Sequence, residues 1–325
     1  MKKIFNVQKM MILLILLLLY GFFAITGNNF ATVTTAVSIM DSCYYTGFIA
    51  IGMTFVIISS GIDLSVGTVA ICGAVIGGYM YNQKGWPVGA SLLLVVVICV
   101  IFGAINGFLI AYLKLPPFIA TMGTQMMANG FGAIITHVQT QTWPQMTTED
   151  GWYKHIFYKS STGFPIGLFW LLGFFILGSI ILNKTRLGRY TFGIGSNRDA
   201  VRLSGVNVRK YELLIYVLCG LFVGLGSVIY TSTYTTIIPT GGSGFEMSAI
   251  AATIIGGTSM SGGSGGLFGT LIGVLIMAVL KQGLMSIGLQ GQWQNFFTGL
   301  IVIAAVLLDR YRLFDRIRDR KSVQA

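Results

Sequence analysis

The chain has 325 residues, 54% of them hydrophobic and only 10% charged, with a mean hydropathy of +0.78. Soluble globular domains carry about 25% charged residues and disordered chains combine low hydrophobicity with high charge, so both classes are excluded; four cysteines are too few for a disulfide scaffold. The net charge of +11 is not a nucleic-acid footprint, because the basic residues cluster at the N-terminus, in one loop and in the tail, with neutral stretches between, as in cytoplasmic segments beside a membrane.

What remains is an all-α polytopic membrane protein. A crossing needs about 20 mostly apolar residues. In chain order the uncharged runs predict spans near 10–26, 43–60, 64–81, 88–112, 117–136, 164–183, 211–231, 245–259, 267–287 and 293–308. Lys2, Lys3 and Lys9 precede the first, which has the look of a signal peptide; with so many spans following, it reads as an uncleaved first crossing. The loop 184–210 and the tail 309–325, with Arg310, Arg312, Arg316, Arg318, Arg320 and Lys321, belong inside with the N-terminus. Six and ten crossings before them satisfy this. The segment 137–163 then lies outside, with room for a short amphipathic helix. Cys43, Cys72, Cys99 and Cys219 read as buried free thiols.

The predicted fold is one transmembrane domain over 1–325, with about ten helices in two inverted five-helix repeats, about 10–136 and 164–309. Two short matches carry the repeat. Ser60-Gly61-Ile62-Asp63-Leu64-Ser65 parallels Ser243-Gly244-Phe245-Glu246-Met247-Ser248 at the third span of each half. Leu109–Lys114 parallels Ile276–Lys281 at the end of the fourth. Inverted repeats of this kind characterise transporters.

Asp63 and Glu246 are the acids flanked on both sides by long apolar stretches. An ionisable group at membrane depth is a candidate for the transport pathway. The competing reading is a helix cap, since Ser60 and Ser243 stand three residues before them in capping-box spelling. Asn106, Thr121, Gln125, Asn129, Gln282, Trp293, Gln294 and Asn295 have two readings as well: hydrogen bonds to a sugar, or to neighbouring helices. Gly73-x-x-x-Gly77, Gly103-x-x-x-Gly107, Gly220-x-x-x-Gly224 and Gly269-x-x-x-Gly273 predict close helix contacts. The nucleophile-elbow spelling around Ser264 lacks a preceding strand, and His137 and His155 fall on the opposite side, so a turn is expected there. No Walker A loop, metal-ligand spacing or cofactor motif is present, so no catalytic residue, metal or cofactor is expected in this chain.

Within the basic loop, Asn197-Arg198-Asp199-Ala200-Val201-Arg202-Leu203-Ser204-Gly205 reads as a short helix ended by Gly205. A small apolar face, from Val201 and Gly205 or from Ala200 and Leu203, suits a groove on a partner; attachment to anionic lipid heads is the alternative.

With Gly61–Gly67, Leu115–Thr121, Gly188-Arg189-Tyr190, Ala200–Val206, Ile250-Ala251-Ala252 and Ile255–Ser259, the sequence resembles the permease subunits of bacterial sugar ABC importers of the ribose-permease family, over roughly Asn29 to Asp309. The resemblance implies a fold similar to the cobalamin-type importers, location in a bacterial inner membrane and alternating access. It also implies three partners: a separate ATP-binding-cassette ATPase, an extracytoplasmic sugar-binding protein, and a second permease copy or paralogue. It makes 197–205 the ATPase-coupling helix. Val201 stands where the family has a second Ala, which predicts a bulkier docking face. A stand-alone secondary transporter using Asp63 or Glu246 is the alternative function.

Overall fold

The computed structural model describes residues 2–160, 163–289, 291–304 and 306–307, and the expected basic tail lies outside them. The chain is an all-helical membrane protein. Each of the ten expected apolar stretches carries a helix: α1 (Lys2–Thr26), α2 (Val33–Ile58), α3 (Val66–Lys84), α4 (Val88–Ala111), α5 (Pro117–Ile135), α7 (Ile166–Lys184), α10 (Val208–Thr233), α11 (Phe245–Ile255), α12 (Leu267–Ser286) and α13 (291–304). Three shorter helices lie between them: α6 (Trp152–Phe157), α8 (Arg186–Ser196) and α9 (Arg198–Leu203). Among the described residues five helices, α2, α4, α7, α10 and α12, are long and apolar enough to cross a bilayer on length and composition alone.

One expected span is corrected. The stretch 245–259 is not a full-length helix: α11 has 11 residues, or about 16 Å at 1.5 Å per residue, half a hydrocarbon core. Gly257, at φ +90°, turns the chain away at its end.

The glycine pairs set the packing. A Cβ on Gly103 would lie 3.0 Å from the Cα of Gly220, and one on Gly107 would lie 2.9 Å from the Cα of Leu213, so α4 and α10 meet backbone to backbone. Gly73 and Gly77 face the α4 backbone at Val95 and Ser91 in the same way, and Gly269 and Gly273 face α11 at Gly256 and Ala252. Without a hydrophobic drive between helices in lipid, this close van der Waals fit holds them together. Around the centre, Leu17, Met126, Ile134 and Ile176 are exposed, as hydrocarbon-facing side chains are. All four cysteines are free and buried.

The segment after α5 is less loop-like than the sequence suggests. Gln141–Thr142 (β1) pairs antiparallel with Thr236–Ile237 (β2). Trp143 is fully buried: its indole donates to the Ala74 carbonyl at 3.2 Å, and its backbone amide donates to the Thr235 carbonyl at 2.8 Å. The expected short helix is α6. Its Tyr153 hydroxyl donates to the Thr231 carbonyl at 3.1 Å, and Lys154 Nζ donates to Thr235 Oγ1 at 2.8 Å. The segment is therefore a strap, wedged on α3 and pinned to the end of α10 and the link to α11. Lys154 is only 3% exposed, and burial pushes its ammonium down to about 8.

Candidate functional site

The two Ser-Gly-x-acid-x-Ser segments meet in space. A Cβ on Gly67, in the first turn of α3, would lie 2.6 Å from Glu246 Oε2 and would collide with the Gly242 carbonyl. The N-terminal ends of α3 and α11 therefore converge on one point, and glycine is what lets them. The second matched pair is not equivalent in structure: α4 ends at Ala111, before Lys114, whereas Lys281 lies inside α12.

Neither acid forms the reciprocal capping box. Ser60, at φ +62°, donates its hydroxyl to the carbonyls of Ser261 (2.8 Å) and Gly195 (3.2 Å), tying the loop before α3 to α8 and the loop after α11. Asp63 Oδ1 accepts from the Ser65 amide at 2.9 Å and the Ser65 hydroxyl at 2.6 Å. The Asn106 amide donates to both Asp63 oxygens at 3.4 and 3.3 Å and to Ser65 Oγ at 2.9 Å. The Asn106 carbonyl in turn accepts from Thr124 Oγ1 at 2.7 Å. Asp63, Ser65, Asn106 and Thr124 are all buried, and this network joins α4, α5 and the entry to α3.

Glu246 is the second residue of α11, and Gly244, not Ser243, occupies the cap position. The Gly244 amide donates to Glu246 Oε1 at 3.0 Å. Oε2 is buried and has no hydrogen-bond partner among the described residues. It lies against the first turn of α3, where the positive ends of two helices stabilise a carboxylate. Ser60 and Ser243 are not the cap residues: Ser65 and Gly244 hold those positions, so each helix begins one or more residues later than the spelling implies.

The other expected pathway residues divide. Thr121 is buried and donates to the Pro117 carbonyl of its own helix at 2.8 Å. Gln282 Nε2 donates to the Ser38 carbonyl at 3.4 Å. On α5, Gln125 is half-buried and Asn129 is exposed. Trp293 is exposed and packs its ring 6.0 Å from that of Phe297. Gln294, Asn295 and Ser243 line a cleft of about 160 Å³ shared with α2, α11 and α12. Sequence reasoning missed the aromatic residues there, Tyr45 and Phe245, because each reads as an ordinary apolar span residue.

The basic loop is built from capped elements. Thr185 accepts the Gly188 amide to begin α8, Asn197 Oδ1 accepts the Ala200 amide at 2.9 Å to begin α9, and Asn207 Oδ1 accepts the Lys210 amide at 3.1 Å to begin α10. Gly205, at φ +82°, ends the turn after α9. Arg198 clamps Glu212 of α10 with two bonds, at 2.6 and 2.8 Å. That pairing raises the arginine's proton affinity further. Arg202 pairs with Asp199 at 3.2 Å. None of the α9 residues is buried, and Leu203 is 83% exposed. One expectation changes: a Cβ on Gly193 would lie 2.9 Å from Val201 Cγ2, so Val201 is turned toward α8. The face left outward is formed by Ala200, Leu203 and Gly205, and Val201 does not enlarge it.

Ser264 lies in a glycine turn whose Gly262, Gly263 and Gly265 all have positive φ; no strand leads into it, and the Gly263 amide bonds to the Ile58 carbonyl at 2.8 Å. Among the described residues no cluster of His, Cys, Asp and Glu could hold a metal ion.

Residues 35–306 match the family model described as branched-chain amino acid transport system / permease component. The chain is 35% identical over 308 residues to the ribose import permease protein RbsC of Escherichia coli K12, covering 91% of this chain and 92% of the relative. It is 30% identical to the fructose import permease protein FrcC of Rhizobium meliloti, covering 92% and 84%. It is 31% identical to the galactose/methyl galactoside import permease protein MglC of Haemophilus influenzae, covering 91% and 92%. No solved structure matches the chain significantly.

Proposed function

We propose that this chain, which belongs to the family of branched-chain amino acid transport system / permease components, is the transmembrane permease subunit of an ATP-binding-cassette importer for a monosaccharide. It is a transport subunit and not an enzyme. The observation that carries the substrate class is the near-full-length likeness to ribose, fructose and galactose import permeases, despite the amino-acid wording of the family description. The ATPase is a separate polypeptide, and this chain uses no cofactor of its own. An extracytoplasmic binding protein delivers the sugar, and a second permease copy or a paralogue completes the pathway.

In this reading the helices lie in a bacterial inner membrane as two inverted halves, α11 reaching only part-way across as a discontinuous segment, with both termini in the cytoplasm. The meeting of Gly67 with Gly242 and Glu246 supports it, since two half-related elements then face each other at one point, as in discontinuous transporter helices. The segment 197–205 is the coupling helix. Its outward Leu203 and Ala200 seat in a groove of the ATPase, and the Arg198–Glu212 clamp passes the ATPase's movement directly into α10. Because α10 is locked to α4 through facing glycines, the two helices move as one body, opening the pathway alternately outward and inward.

The strap 137–160 faces the binding protein and holds the link to α11 from outside. Ser60 holds the inner end through Gly195 and Ser261. A stand-alone transporter, with ion coupling at the unpartnered Glu246 oxygen, is the competing function. Reconstitution with and without the ATPase decides between them: the permease reading requires that uptake appear only when the ATPase and the loaded binding protein are both present.

A further inference from the structure

We infer that the cleft between α2, α11, α12 and α13 is a transient binding station for a single neutral monosaccharide on its way through the membrane. The inference rests on the permease reading above and adds the site and its chemistry. The cleft measures about 160 Å³, below the roughly 300–1,000 Å³ of drug-sized pockets, which suits one sugar ring and excludes a chain of them. Tyr45 and Phe245 line it with rings 4.9 Å apart, and aromatic faces take the apolar C–H face of a sugar. Ser248 of α11 and Gln294 and Asn295 of α13 also line it, offering hydroxyl and amide groups that donate and accept at once, as vicinal hydroxyls require.

Lys281 is the most telling residue. Its half-buried side chain lines the cleft from α12. The ion pairs among the described residues join other groups, and the Lys281 ammonium has the Tyr45 hydroxyl at 3.5 Å as its hydrogen-bond partner. A cation inside a membrane helix without a carboxylate is costly and marks a pathway or a ligand. Among the described residues its remaining donors meet no other acceptor, which leaves them to sugar hydroxyls. Asn295 is exposed, so the cleft opens at α13 onto the outside of the bundle.

The four native cysteines are buried, so one introduced thiol can be labelled selectively. Asn295→Cys and, separately, Gln294→Cys are placed in the complete importer and alkylated with a small maleimide, with D-ribose, D-fructose or D-galactose added. Leu113→Cys, exposed just after the end of α4, serves as the comparison position. For whichever sugar the importer carries, alkylation at 294 and 295 slows about twofold when the sugar equals its dissociation constant, since half the sites are then filled. Labelling at 113 stays unchanged. Lys281→Met removes the protection and lowers import roughly tenfold or more, while ATPase stimulation by the loaded binding protein persists. If the importer carries a sugar that protects neither 294 nor 295, or protects 113 alone, the cleft is not the station and the permease reading stands. If the complete importer carries no monosaccharide, both fall.

Discussion

Replacing Leu203 by Asp separates the coupling role of α9 from any role in the fold. The side chain is 83% exposed in this chain, so it contributes almost nothing to folding, and surface changes of this kind fall within about 0.5 kcal/mol. Seated in a groove of the ATPase, the same leucine would gain about 1.5–3 kcal/mol from burial. An aspartate there loses that gain and adds a buried, unpaired charge. The ATPase should therefore bind at least about tenfold to a hundredfold more weakly, while the melting temperature of the purified permease stays within a degree or two. Titrating detergent-solubilised permease with the ATPase, alongside a thermal melt, reads both quantities. Unchanged affinity with lost stability would mean that Leu203 packs inside this chain. Unchanged affinity and unchanged stability would mean that the ATPase docks elsewhere.

Four other outcomes are expected. Asp63→Ala takes the acceptor from the Ser65 amide and hydroxyl, each unmet donor costing about 1–3 kcal/mol, so it should melt well below Asp63→Asn; equal melting would remove the network from the stability of the fold. Gly220→Leu drives a side chain into the Cys99 and Gly103 backbone and should leave little monodisperse protein by size-exclusion chromatography, whereas the same change at Gly89, with nothing within 4 Å of a Cβ, should be tolerated. Lys154 is held at about 8 against an unfolded value near 10.5; the unfolded chain then binds more protons between these pH values, so stability should rise from about pH 8 to pH 10.5, and Lys154→Met should flatten that part of the melting curve. Gly205→Glu meets open space but an unfavourable φ of +82°, so the protein should still insert, at about 1 kcal/mol of backbone strain, while ATPase co-purification is lost.

The helices were legible because long uncharged runs and Lys/Arg clusters are direct consequences of a hydrocarbon solvent. The glycine spacings likewise marked the close-contact faces of α3, α4, α10 and α12, though not which helices they meet. The short helix 198–203 and its end at Gly205 followed from cap chemistry. Other features were hidden for definite reasons. Helix α8 carries three glycines and two arginines and has no apolar run; its signal was the Thr185 cap, which hydropathy ignores. The burial of Trp143 was not legible because its partners, Ala74 and Thr235, are distant in sequence. Asp63 and Glu246 were singled out correctly as buried acids, but their bonding was not legible: Asp63 finds Asn106 on another helix, and Glu246 meets the start of α3. Lys281 matched Lys114 in a sequence repeat, yet one stands inside a helix and the other after its helix has ended.

The most direct measurement is uphill sugar uptake into liposomes holding purified permease, compared with liposomes that also hold the ATPase, with the loaded binding protein outside and ATP inside. Accumulation against a gradient only in the complete mixture, abolished by withdrawing ATP, is the predicted result. Accumulation by the permease alone, driven by a proton or sodium gradient, would contradict a gate powered by a separate ATPase.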